Sequence, residues 1–267
     1  MKKLLAITAL SAALFFGQTA AAEEVKPSHV EMVLVLDESG SMSNLTNDTI
    51  GGFNSMIEKE KKLDVDAHVT TVLFNDQYKM LYNRRELKDV RKMTDKDYTP
   101  GGMTALLDAV GRTIHKMDMV SGIHRKDKGN KVLFVIITDG EENDSREYTY
   151  ADVKKLIKDR QENAGWEFIF LGANIDAAAA AENLGIDRDR AVKYKNTGSG
   201  VRANFKAVAE MSDSLAKSGR VSDEWKSQVE EDTDEDIMVV PADTKEHTAP
   251  PAKPVKKHLV SKVRKAK

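Results

Sequence analysis

The sequence predicts an α/β fold: a doubly wound, mostly parallel sheet with helices on both faces and one antiparallel edge strand. Three observations predict it. Residues 32–36 (MVLVL) and 133–137 (LFVII) are unbroken apolar runs, the pattern of strands buried on both faces of a parallel sheet. Between them Ala105, Leu106, Ala109, Val110, Ile114 and Met117 recur at spacings of three and four, an apolar stripe along one helix. Strand-like and helix-like segments alternate along the chain, as βαβ units require.

The elements follow in order. The first buried strand ends at Asp37, and a helical pattern spans 48–61. Residues 67–74 and 78–82 read as strands with room only for a tight turn between them, which predicts an antiparallel edge hairpin. The amphipathic helix comes next, then the second buried strand, which ends at Thr138-Asp139-Gly140. A helix is expected over 150–162 and a third buried strand over 166–171, ending at Gly172-Ala173-Asn174. The alanine run 177–181 suits a helix over 176–184, because alanine loses no side-chain entropy there. A short strand over 191–194 and a helix over 201–217 complete a domain predicted to run from 29 to 219.

Both ends differ in character. Met1-Lys2-Lys3, a largely apolar stretch over 4–16 and the small residues Ala20-Ala21-Ala22 form a secretory signal peptide pattern. Cleavage after Ala22 is expected, with the periplasm or the exterior as destination. The apolar stretch is shorter than the roughly 20 residues that span a bilayer, and no transmembrane segment is expected. After 219 the composition shifts: Glu230 to Asp236 holds six acids in seven residues, and Lys253 to Lys267 holds seven basic residues and no acid. Such segments bury too little apolar area to offset ordering entropy, so 220–267 is expected to be a disordered charged tail.

Composition narrows the function classes. With 41 basic and 43 acidic side chains, the formal net charge is −2, and nothing draws the whole chain toward nucleic acid. The absence of cysteine excludes disulfides, thiolate zinc sites and thiol catalysis. The six histidines form no His-Glu-x-x-His pattern and are read as surface or core residues. Neither a Gly-x-Ser-x-Gly elbow nor a phosphate-cradling Gly-x-x-x-x-Gly-Lys loop is present.

Three oxygen-rich points sit where the fold brings strand ends together. Asp37-Glu38-Ser39-Gly40-Ser41 follows the first buried strand, Pro100-Gly101-Gly102-Met103-Thr104 opens the amphipathic helix, and Asp139-Gly140 follows the second buried strand. Ligands of open α/β sheets bind outside the carboxyl ends of strands, where the winding reverses. Alone, each segment is an ordinary capping turn; together they offer the hydroxyls of Ser39, Ser41 and Thr104 and the carboxylates of Asp37 and Asp139. This all-oxygen set suits Mg²⁺, Mn²⁺ or Ca²⁺ and not zinc or copper. If only one carboxylate touches the ion, it stays electron-poor and takes one more anionic oxygen from outside, such as a partner's Asp or Glu. The neighbours Glu38, Glu141, Glu142, Asn143 and Asp144 are read as solvated loop groups, and Asn174 and Asp176 as caps of the next helix.

This ordered set resembles the von Willebrand factor A domain with its metal-ion-dependent adhesion site, over roughly residues 29–217. The segments 37–42, 101–106 and 138–142 are similar to bacterial stand-alone members. The resemblance implies direct ligation by Ser39, Ser41 and Thr104, with Asp37 and Asp139 often acting through water. It also implies that Thr104 engages or releases the metal with ligand state, coupled to the last helix at 201–217. The expected function is that of an exported protein that is not an enzyme and that grips a protein partner's Asp or Glu through Mg²⁺. Alternatives are a Mg²⁺-dependent phosphoesterase and an assembly factor working with an ATPase.

Overall fold

The computed structural model describes residues 29–63, 65–120 and 130–234. The expected signal peptide, 1–22, and the tail from 235 onward lie outside the described residues.

The strands β1 (His29–Asp37), β2 (Ala67–Phe74), β3 (Tyr78–Glu86), β4 (Asn130–Thr138), β5 (Glu167–Gly172) and β6 (Ala191–Lys193) form one sheet in the order β3-β2-β1-β4-β5-β6. Every neighbouring pair is parallel except β2 and β3. The expected edge hairpin is therefore present, and β3 runs four residues beyond 82, with register shifts opposite 69–72. The helices are α1 (Thr46–Leu63), α2 (Leu106–Asp118), α3 (Tyr150–Asp159), α4 (Ala177–Leu184), α5 (Gly198–Ser218) and α6 (Trp225–Asp234).

Successive strand residues face opposite sides, so the unbroken apolar run of β1 serves two cores. Met32, Leu34 and Leu36 pack with Phe53 and Met56 of α1 and Phe205 and Val208 of α5. Val33 and Val35 pack with Leu106, Val110 and Ile114 of α2 and Val153 of α3. The predicted stripe of α2 is the surface buried in the second core.

Local chemistry sets the helix ends. Thr149 and Asp152 form a reciprocal capping box at the start of α3. Asp176 accepts from Ala179 N at 3.0 Å and caps α4, as expected. Gly219, at φ 70°, closes α5 in the left-handed region that glycine adopts without steric cost.

The predicted boundary at 219 is corrected by α6. Val221, Trp225 and Val229 are buried in the core that α5 helps to form, and α6 packs against α5 and β6. Trp225 and Val229, four apart on α6, share one helical face, and Val221, just before the helix, enters the same core. That face is enough to dock a helix within an otherwise acidic and polar stretch.

One buried acid lies between α1 and α5. Glu60 is fully buried and accepts a 2.7 Å hydrogen bond from Ser212 Oγ. Burial raises its carboxyl to about 7, against the Ser212 bond that favours ionisation.

Candidate functional site

Strand register begins the site. β1 and β4 are parallel neighbours with Leu36 beside Ile137, so Asp37 and Asp139 leave adjacent strands at the same edge. This edge is also where the strand order reverses, since β2 continues to one side of β1 and β5 to the other side of β4.

Asp37 is buried, and both of its oxygens are held. Oδ1 accepts from Ser39 N at 2.7 Å and Oδ2 from Thr138 Oγ1 at 2.6 Å. Burial pushes its carboxyl above the usual range, and the hydrogen bonds from Ser39 and Thr138 oppose that rise. Beyond it the chain turns through a 3-10 segment, Gly40–Leu45. This turn brings Ser39 Oγ and Ser41 Oγ to 3.0 Å from each other, and Ser41 Oγ donates to Asp139 Oδ1 at 2.5 Å. Asp37, Ser39 and Asp139 are buried, whereas Ser41 is exposed, so the cluster opens to solvent on the Ser41 side.

Thr104 arrives on the loop before α2. A Cβ added to Gly140 would lie 3.6 Å from Thr104 Oγ1 and 4.0 Å from Ser41 Oγ, so both hydroxyls border this glycine. The structure thus brings together all five residues expected from the sequence. Backbone bonds tie the loops to each other: Gly40 N donates to Gly102 O at 3.2 Å, and Gly101 N donates to Glu38 O at 2.9 Å. Gly102 sits at φ 76°, and a Cβ there would fall 2.0 Å from Asp76 Oδ1. Gly102→Ala is therefore expected to cost about 1–2 kcal/mol and to weaken Mg²⁺ binding. Thermal unfolding with and without Mg²⁺ checks both.

A second layer positions these groups, and most of it escaped the sequence reading. Thr138 orients Asp37, and Asn196 Nδ2 donates to Asp139 Oδ2 at 3.2 Å. Tyr98 and Tyr194 hydroxyls donate to the backbone carbonyls of Asp37 (2.6 Å) and Thr138 (3.3 Å). Burial raises both phenols, which keeps them protonated as donors. For Thr138 a signal existed, its place directly before Asp139. For Asn196, 57 residues further on, none did.

Three of the rim groups read as solvated are structural pins instead. Glu38 is buried and binds Thr99 N, with Lys79 Nζ at 3.5 Å. Glu142 accepts from Leu107 N in the first turn of α2 at 3.0 Å and from Ser145 N at 2.7 Å. Asn143 brackets Thr104, with its side chain accepting from Thr104 N at 2.9 Å and its own N donating to Thr104 O at 3.0 Å. An acidic side chain beside orphan N–H groups binds them in preference to water when its loop is already fixed. Glu141 is exposed, as expected.

The family model "vWA-TerF-like: vWA found in TerF C terminus" matches residues 29–186, more than half of the chain. The chain belongs to this family of von Willebrand factor A (vWA) domains. Its match ends before α5 and α6, which complete the first core. No curated protein matches the chain. Among solved structures, the vWA domain is similar to the pilus adhesin SpaC from Lactobacillus rhamnosus GG, at 13% identity and TM-score 0.54 over 73% of this chain and 31% of that one. It is similar to the vWF domain of the type V pili tip protein Mfa5 from Porphyromonas gingivalis, at 12% identity and TM-score 0.51 over 74% of this chain and 99% of that domain. The PilB minor pilin from Streptococcus sanguinis aligns at 11% identity and TM-score 0.51, over 69% of this chain and 61% of its own. The chain thus spans less than two thirds of the adhesin and of the minor pilin. At these identities the likeness shows the shared vWA fold. Among the described residues no helix is long and apolar enough to cross a membrane.

Proposed function

We propose that this vWA protein is an exported, non-enzymatic binding module. It grips a protein partner through Mg²⁺, or Mn²⁺ or Ca²⁺, held by Asp37, Ser39, Ser41, Thr104 and Asp139. The observation that carries this reading is the contact chain Ser39 Oγ, Ser41 Oγ, Asp139 Oδ1, built beside the buried Asp37 and open to solvent at Ser41. Among the described residues, the groups that hydrogen-bond the two carboxylates, from Ser39, Ser41, Thr138 and Asn196, are neutral. None of them balances a negative charge, and a divalent cation would.

Spacing supports the ion's identity. Adjacent ligands of a Mg²⁺ octahedron lie about 3.0 Å apart when metal–oxygen bonds are near 2.1 Å, and the two serine oxygens stand at 3.0 Å. An ion held chiefly by hydroxyls keeps most of its charge and favours a further carboxylate from outside. Beside Thr104, the exposed Met103 gives the rim an apolar contact for such a partner. Export rests on the pattern in residues 1–22, with cleavage after Ala22 and delivery to the periplasm or the exterior.

The test is a pull-down from cell-envelope extract with Mg²⁺ or with chelator, using the native chain and Asp139→Ala. A partner retained only by the native chain with metal is the expected result. Retention that ignores both chelator and variant would count against the reading. Turnover of a generic phosphate ester with Mg²⁺, lost in Asp37→Ala, would move the assignment to a phosphoesterase.

A further inference from the structure

The opposite edge of the sheet carries a second constellation. His29 and Glu31 are two apart on β1 and so share a face, and β1–β2 register places Glu31 directly beside His68. His29 Nε2 lies 2.8 Å from His68 Nδ1 and 3.3 Å from Glu31 Oε1, and His68 Nδ1 lies 3.5 Å from the same oxygen. Three donor atoms from residues up to 39 apart thus form one small triangle. The sequence reads these histidines as surface or core residues, and the structure places both, half-buried, in this cluster. The cue was invisible in sequence because strand pairing, not spacing, unites them.

We propose that His29 Nε2, His68 Nδ1 and Glu31 Oε1 form a zinc site. Two imidazole nitrogens and one carboxylate oxygen are a three-ligand zinc set that leaves a fourth position open. Tetrahedral zinc with bonds near 2.0–2.1 Å separates its ligands by about 3.3 Å, and the observed edges of 2.8, 3.3 and 3.5 Å bracket that value. The outer shell is also in place. His29 Nδ1 lies 3.1 Å from Asp66 Oδ1, so an Nδ1–H that donates to Asp66 fixes the tautomer with the Nε2 lone pair toward the triangle, as metal-bound histidines are oriented.

Arg84 closes the site without metal. Its Nη2 lies 2.5 Å from Glu31 Oε1 and 3.4 Å from His68 Nδ1, while Nε donates to Oε2 at 3.0 Å. Zinc takes the place of the Nη2 contact, and the Nε bond to Oε2 continues to hold the carboxylate. The ligands reach solvent, since His29 and His68 line a cleft with Asp66 and Glu86. The site is independent of the oxygen cluster: nine residues of β1 separate the two edges, roughly 26 Å at 3.3 Å per step.

The test is titration of the full chain with Zn²⁺, and with Co²⁺ as a spectroscopic probe, in excess Mg²⁺ so that the oxygen cluster is saturated. One equivalent is expected to bind, with the intense visible bands of tetrahedral Co²⁺. His68→Ala should weaken affinity about 100-fold, and Asp66→Asn, an exposed change outside the ligand set, about 10-fold. Asp139→Ala should leave both affinity and spectrum intact. Circular dichroism confirms that each variant is folded. The proposal is overturned if the native chain takes up no zinc, if its cobalt spectrum is octahedral, or if folded His68→Ala binds as tightly as the native chain.

Discussion

Glu60→Gln is expected to raise stability at pH 8 by roughly 3 kcal/mol and to flatten its pH dependence. Glu60 is fully buried between α1 and α5, and its Oε1 finds no hydrogen-bond partner among the described residues. Burial raises its carboxyl from 4.5 to about 7; Asp213 adds to the rise, while Ser212, Lys59 and Lys217 oppose it. Below about 4.5 the acid is protonated in both the folded and unfolded chains, and its titration costs nothing. As pH climbs from there toward 7, the unfolded chain ionises first and stability falls. Above 7 the loss is complete. Glutamine keeps the shape of the neutral acid and an oxygen for Ser212, but cannot ionise. Denaturant unfolding of both proteins from pH 4 to 8 measures the difference. Parallel curves would show that Glu60 is ionised, or relaxed into water, in the folded protein.

The second large effect lies at the oxygen cluster. Asp139→Ala is expected to reduce Mg²⁺ affinity at least about 100-fold, the upper end of what loss of an outer-shell partner costs and close to 2.7 kcal/mol. The change removes a charge that balances the cation and the acceptor for Ser41 Oγ. Ser39→Ala removes a neutral oxygen and leaves both carboxylates, so its loss should be smaller. Asn196→Ala, which removes a neutral donor to Asp139 Oδ2, should be smaller still. Calorimetric titration with Mg²⁺ gives the order. Equal losses in all three variants would mean a loop that collapses as a unit rather than a site built of separate ligands.

These predictions rest on features of unequal visibility in the sequence. Buried parallel strands announce themselves, because residues 32–36 and 133–137 have no polar face to alternate. The meeting of Asp37, Ser39, Ser41, Thr104 and Asp139 was legible from the winding: Asp37 ends β1, and the others lie in loops at the same sheet edge. What pairing and packing create was hidden. Asn196 meets Asp139 only once β6 has been laid beside β5 and the chain turned toward α5. His29, Glu31 and His68 converge through the register of β1 on β2. Val221, Trp225 and Val229 enter the core from among polar neighbours, and average composition conceals such scattered apolar residues. Glu38 and Glu142 look like solvent charges until the amides they bind are in view.

The most direct measurement of the central claim is amide NMR of the full chain with sub-stoichiometric Mn²⁺ in place of Mg²⁺. Paramagnetic broadening is expected to centre on residues 39–41, 102–104 and 139–140, and to disappear with Asp139→Ala. Broadening spread along the acidic rim at 141–144, or unchanged in that variant, would mean that the five side chains do not hold a cation together.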